Sequence, residues 1–188
     1  MNKYYLFLSS DKIDRLYFRE ALRALSGHPV EVYYESDKKG YFYEDSSLYG
    51  GLAVLLSTIH DDLGLNLVVL VAHERKGLEE KALVSALSYF KNMAVYLPDV
   101  LFKEFSFGDF SSLPLLKEEF FSLPPDLLET AGTYLRVGCE ATAASKALFI
   151  HRNTFNYRLS AFIEKTGLDI RDYHNALLLE IYFQYLAR

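Results

Sequence analysis

The chain has 188 residues, 51% of them apolar, with 20 Lys and Arg against 25 Asp and Glu and a formal charge of −5. That length admits one large or two small domains with buried cores. Apolar runs such as 52–59 and 65–72 fall well short of the roughly 20 residues a membrane span needs, and no basic-then-apolar leader is read at the start, so a cytoplasmic protein with no membrane partner is expected. The single cysteine, Cys139, excludes an internal disulfide or a cysteine-only metal cluster, and beside Gly138 it is read as a small structural loop residue.

The acidity is unevenly spread. Residues 1–126 hold 13 Lys and Arg against 19 Asp and Glu, whereas residues 127–188 hold 7 against 6, a balance of −6 in front and +1 behind. An acidic front with a near-neutral rear is compatible with a DNA reader whose few cations sit on one helix.

In chain order, the aromatic run 4–8 predicts a strand and the amphipathic stretch 11–25 a helix. Residues 30–35 and 41–44 flank the turn formers Ser36, Asp37, Lys38, Lys39 and Gly40, which predicts a hairpin. A helix over 47–63, a buried strand over 66–72, a helix over 78–91 and a short strand over 94–97 follow. Strands separated by helices, with one hairpin, point to a mixed sheet covered by helices. From 105 to 125 the pattern breaks at Phe107, Gly108, Pro114, Pro124 and Pro125, which reads as a connector whose Phe120, Phe121 and Leu123 pack against a domain.

The rear reads as helices only. Asp126 with Glu129 three residues on has the pattern of a capping box, and an apolar stripe from Leu127 to Leu135 stops at Gly138. Short and long helices are predicted over 140–148 and 152–165, and a last one over 172–187. The fold class expected is therefore α+β, with a mixed α/β domain over 1–105, a connector over 106–125 and an all-α helix-turn-helix domain over 126–188.

Two requirements of a helix-turn-helix are met in this rear segment: a close-packing first helix and a two-faced second one. Ala141, Ala143, Ala144 and Ala147 supply small side chains on the supporting helix, and Leu148 and Ile150 stand where a turn would anchor to the core. On the next helix Phe155, Leu159, Phe162 and Ile163 fall on one stripe, opposite Asn153, Asn156, Tyr157 and Ser160. The polar stripe suits base edges or sugar-phosphate, with Arg152 at the start and His151, Thr154 and Arg158 on the flank. An ordinary amphipathic bundle helix would satisfy the same spacing.

The string Ala143-Ala144-Ser145-Lys146-Ala147-Leu148-Phe149-Ile150-His151-Arg152-Asn153-Thr154-Phe155-Asn156-Tyr157-Arg158-Leu159 closely resembles the C-terminal helix-turn-helix of the PucR and CdaR transcription regulators. The resemblance runs from about Asp126 to Arg171-Asp172, about a third of the chain. It implies that His151, Arg152, Asn153, Thr154, Asn156, Tyr157 and Arg158 face duplex DNA, with Arg152 reading a guanine and Thr154 and Arg158 positioning phosphates. Lys146, on the supporting helix, is a further backbone contact or a solvated surface lysine. Asn156 departs from the basic residue often found there in the family, which bears on the strength of binding. A homodimer is expected, because one helix with few cations offers few phosphate contacts.

The front order, βαββαβ, is weakly similar to the degenerate cyclase-like domain of some of these regulators. Metal-holding carboxylates are absent from 4–8, and the hairpin offers only Asp37, so no enzymatic activity, cofactor or metal is expected. His60-Asp61-Asp62 and His73-Glu74 are read as solvated ends of elements, and Gly50-Gly51 as carrying no phosphate loop. The aromatic load, 14 Phe and 15 Tyr, is read as core, with a dimer interface or an effector pocket as the other uses. A protein-protein adaptor that no longer binds DNA is the alternative function, and a small hydrolase or nucleotide-binding enzyme the third.

Overall fold

The alternating run Tyr4-Tyr5-Leu6-Phe7-Leu8 builds β1 (Lys3–Ser9), with Tyr5 and Phe7 on one face and Leu6 on the other. In the computed structural model, residues 3–45 and 48–186 are described. The predicted helix start at Ser47 and helix end at Ala187 lie outside them.

After β1, α1 (Arg15–Ser26) begins later than its amphipathic pattern, because Asp14 accepts hydrogen bonds from the Leu16 and Tyr17 amides, both at 3.0 Å. The hairpin is β2 (Val32–Tyr34) and β3 (Lys39–Glu44), followed by α2 (Tyr49–Leu63), β4 (Leu67–Ala72), α3 (Gly77–Tyr89), β5 (Ala94–Tyr96) and α4 (Leu97–Ser106). The sheet order is β2-β3-β1-β4-β5, with β1 antiparallel to both neighbours and β5 parallel to β4. Its first four strands have the split βαβ arrangement.

One face of the sheet carries Tyr5, Phe7, Phe42, Leu67, Val69 and Val71, which cluster with Phe18 and Leu22 of α1 and Leu52, Leu56 and Ile59 of α2. Burial of each of these side chains contributes about 1.5–3 kcal/mol. α3 lies against β1 and β4, so all six residues of β4 are buried and its unbroken apolar run has a cause. Gly40 stands opposite Phe7; a Cβ there would lie 2.2 Å from the Tyr33 carbonyl oxygen and 2.6 Å from Phe7 Cζ. Only glycine lets the hairpin pass so close.

The chain divides into two compact units, Met1–Asp109 and Phe110–Arg188. Residues 106–125 are more than a bare connector: α4 closes the first unit and α5 (Leu113–Phe121) belongs to the second. Pro114 lies in the first turn of α5, where its missing N–H leaves no helical bond unmade, so the proline read as a breaker opens a helix. Phe120 is buried and stacks on Phe162 with centroids 6.5 Å apart. Phe121 is 79% exposed and does not pack as expected.

The rest of the second unit is α6 (Pro125–Arg136), α7 (Ala141–Ala147), α8 (Arg152–Thr166) and α9 (Tyr173–Tyr185). The capping box read at Asp126 is corrected by the structure. Pro125, with its φ preset for a helix, takes the first position, so Asp126 lies inside the first turn and its side chain caps nothing. No helix among the described residues is long and apolar enough to cross a membrane.

Candidate nucleic-acid interface

The segment 140–166 is assembled by three local devices. Glu140 caps α7 by accepting from the Thr142 amide at 2.9 Å and from the Ala143 amide. These bonds, and more distantly the Arg152 charge, hold its carboxyl below the ordinary 4.5. Between α7 and α8 the chain turns at Phe149, whose φ is 55°, with its amide donating to the Lys146 carbonyl and that of Ile150 to the Ser145 carbonyl. His151 then caps α8: its Nδ1 accepts from the Asn153 amide at 3.2 Å, which leaves Nε2 to carry the proton of the neutral ring.

Close approach of the two helices rests on Ala144 and Ser145, both buried. Ala141 and Ala143 are half-buried and Ala147 is exposed, so fewer of the alanines serve packing than the sequence suggests. Cys139 is exposed, with φ 61°, in the loop between α6 and α7. It follows Gly138 in a left-handed exit from α6, and its amide donates to the Tyr134 carbonyl at 2.9 Å.

On α8, Phe155, Leu159 and Phe162 are buried, Ile163 is half-buried, and Phe155 meets Tyr134 of α6 at 5.8 Å between centroids. The opposite face presents Arg152, Asn153, Asn156, Tyr157 and Ser160 to solvent, and Thr154 is exposed in the first turn. Lys146 is exposed on α7. Thus five of the eight singled-out side chains, Arg152, Asn153, Thr154, Asn156 and Tyr157, share the open first half of α8. His151 is exposed beside them but holds the cap.

Arg158 stands apart. It is half-buried on the flank, with its Nε 3.2 Å from Asp126 Oδ2 on α6. Arg152, by contrast, carries no ion pair among the described residues. Further along, Asp169 and Arg171 are joined by hydrogen bonds of 2.6 and 2.7 Å, which hold the Asp169 carboxyl below its ordinary value.

Sequence reasoning missed Phe149, which is 96% exposed at the tip of the turn between α7 and α8. Its signal was its place between the anchoring Leu148 and Ile150, at a position where a tight turn favours glycine.

A two-faced helix joined by a tight turn to a short capped helix is the arrangement of a helix-turn-helix. The sequence profile of the PucR C-terminal helix-turn-helix domain matches residues 127–184. Residues 127–184 resemble a PucR helix-turn-helix. The chain is 45% identical over 58 residues to the carbohydrate diacid regulator of Escherichia coli strain K12, 31% of this chain and 15% of that protein. It is 39% identical over 61 residues to the proline-responsive transcriptional activator PutR of Bacillus subtilis strain 168, 32% of this chain and 15% of that protein. The chain therefore covers under a sixth of the length of either of these relatives. A crystal structure of a regulator of polyketide synthase expression from Bifidobacterium adolescentis superposes with TM-score 0.48 at 19% identity, over 97% of this chain and 79% of that one. The likeness of residues 127–184 to a PucR helix-turn-helix rests on the sequence profile and the sequence relatives.

Proposed function

We propose that this chain is a transcription regulator that binds duplex DNA sequence-specifically through α8 as a homodimer. The observation that carries the reading is the division of α8: Phe155, Leu159 and Phe162 are buried while Arg152, Asn153, Asn156 and Tyr157 stay open to solvent. Arg152 is assigned to guanine O6 and N7, and Asn153, Asn156 and Tyr157 to base edges or sugar. Thr154, Arg158, His151 and Lys146 are assigned to phosphates, which set register without reading sequence. The first unit is assigned dimerisation or sensing.

The test is to incubate the purified chain with fragmented genomic DNA and sequence what it retains. A shared motif of one or two half-sites is the expected result, and a retained pool indistinguishable from the input would overturn the proposal. The adaptor reading is favoured by one observation, the carboxylates of Asp126 and Glu140 near Arg158 and Arg152. A shared DNA motif would remove it.

A further inference from the structure

Where β4 ends, the chain places His73 and Glu74, and the third residue of the next helix is Glu79. The sequence pattern suggested solvated polar residues at this strand end. Instead the His73 and Glu74 side chains are only 12% and 23% exposed, and Glu79 is fully buried. One oxygen of Glu79, Oε2, accepts from the Lys76 amide at 3.2 Å and so closes the cap of α3. The other, Oε1, is buried and has no hydrogen-bond partner among the described residues, and the same holds for His73 Nε2.

A buried carboxylate with half its acceptors unmet is costly unless a positive group faces it. The Glu79 carboxyl is pushed up by burial, with His73 acting against that shift and Glu74 adding to it. His73 Nε2 lies 3.4 Å from Glu74 Oε1 without hydrogen-bond geometry. One ligand atom from each of His73, Glu74 and Glu79 falls within 4.8 Å of the others. Ligands about 2.0–2.2 Å from a zinc ion stand about 3.4 Å apart along a tetrahedral edge, so this spacing needs little movement to close around a cation.

We propose that His73, Glu74 and Glu79 form a binding site for one divalent first-row transition-metal ion. The mixed donor set decides the class. Calcium and magnesium select oxygen donors, whereas an imidazole with carboxylates suits zinc and its neighbours. Three protein ligands leave coordination positions for water or a small anionic ligand. The site lies within the first unit and is independent of the DNA-binding proposal.

The test uses the tag-free full chain, stripped with a chelator and titrated with zinc chloride in a calorimeter, with thermal unfolding measured alongside. One zinc per chain and a raised Tm are expected, with millimolar magnesium failing to displace it. His73→Ala and Glu79→Gln should each weaken zinc binding by more than the roughly 10–100-fold that changes to groups behind a ligand cost, at unchanged helical circular dichroism. Because Glu79 also caps α3, His73→Ala carries the test if Glu79→Gln does not fold. Absence of stoichiometric binding at micromolar zinc, equal binding by His73→Ala, or displacement by magnesium would each overturn the proposal.

Discussion

Asp126 and Arg158 are tied across two helices, Oδ2 to Nε at 3.2 Å, with 49% and 25% of their side chains exposed. A partly exposed pair of this kind contributes about 0–1 kcal/mol to stability. On the proposed DNA-binding role its larger consequence is for affinity, since it holds a cation at the edge of the α8 face and partly neutralises it. Asp126→Asn is expected to tighten binding to all DNA sequences. Arg158→Ala should weaken all sequences alike and reduce the slope of log K against log salt by about 1. Titrations at several salt concentrations check both. Unchanged affinity in Arg158→Ala, with only a lower Tm, would make the pair purely structural.

Arg152 makes no ion pair among the described residues and stands at the first turn of the exposed face. Arg152→Ala should cost about 1–3 kcal/mol at the specific site and relax one base position, because a bidentate guanidinium reads guanine where an alanine reads nothing. Competition binding against a library of single-base variants of the retained motif measures this. Equal losses at every variant would show that Arg152 contacts only phosphate.

Phe149 holds φ 55° with its ring 96% exposed. The left-handed conformation costs a residue with a Cβ about 1–2 kcal/mol. Phe149→Gly removes that strain and loses no buried area, while the freer unfolded chain takes back about 0.4–1 kcal/mol. A net stabilisation of about 0.5 kcal/mol is expected in denaturant unfolding, together with weaker DNA binding if the turn lies on the backbone. Destabilisation would mean that the ring has a contact in solution that the folded chain depends on.

Glu140 sets a pH dependence. Its folded-state carboxyl lies below the ordinary 4.5, chiefly through the Thr142 and Ala143 amides it caps. A depressed acid contributes stability that is present above the unfolded value and lost as pH falls through the folded one. Glu140→Gln keeps an acceptor for the cap but no charge. The Tm difference between the two proteins should therefore be largest near neutrality and shrink to nothing as pH drops below 4.5. A constant difference across that range would assign the effect to packing.

The DNA-bound form is expected to be a dimer. One α8 with Arg152 exposed and Arg158 half engaged gives few phosphate contacts, whereas two copies joined rigidly bind as one bivalent unit. Their recognition helices must then stand about 34 Å apart, or a multiple of that, to enter successive major grooves. Sedimentation at micromolar concentration, with and without a retained fragment, distinguishes the states. A monomer that binds tightly at physiological salt in both runs would rule the dimer out.

The sequence by itself determined the order of elements from β1 to β5 and from α6 to α9, and which side of α8 is core, because these follow from local periodicity. Tyr5 and Phe7 alternate with Leu6 along a strand, and Phe155, Leu159 and Phe162 recur at helical spacing, so burial of one face leaves the other no choice. Gly27, Gly64 and Gly167 likewise ended their helices where a left-handed exit was needed. The string around Arg152 carried the resemblance because the turn and both its helices are contiguous in the chain.

Only tertiary structure decided which charges are free. Asp126 and Arg158 lie 32 positions apart and meet because α6 packs on α8, which no period in the sequence encodes. Prolines concealed α5, since Pro114 reads as a breaker until Phe120 is seen stacked on Phe162. His73 and Glu74 looked solvated because a strand end ordinarily is; burial of Glu79 beside them depends on α3 folding back onto the sheet. Burial sets the cost of an unpaired charge, and burial is a property of packing.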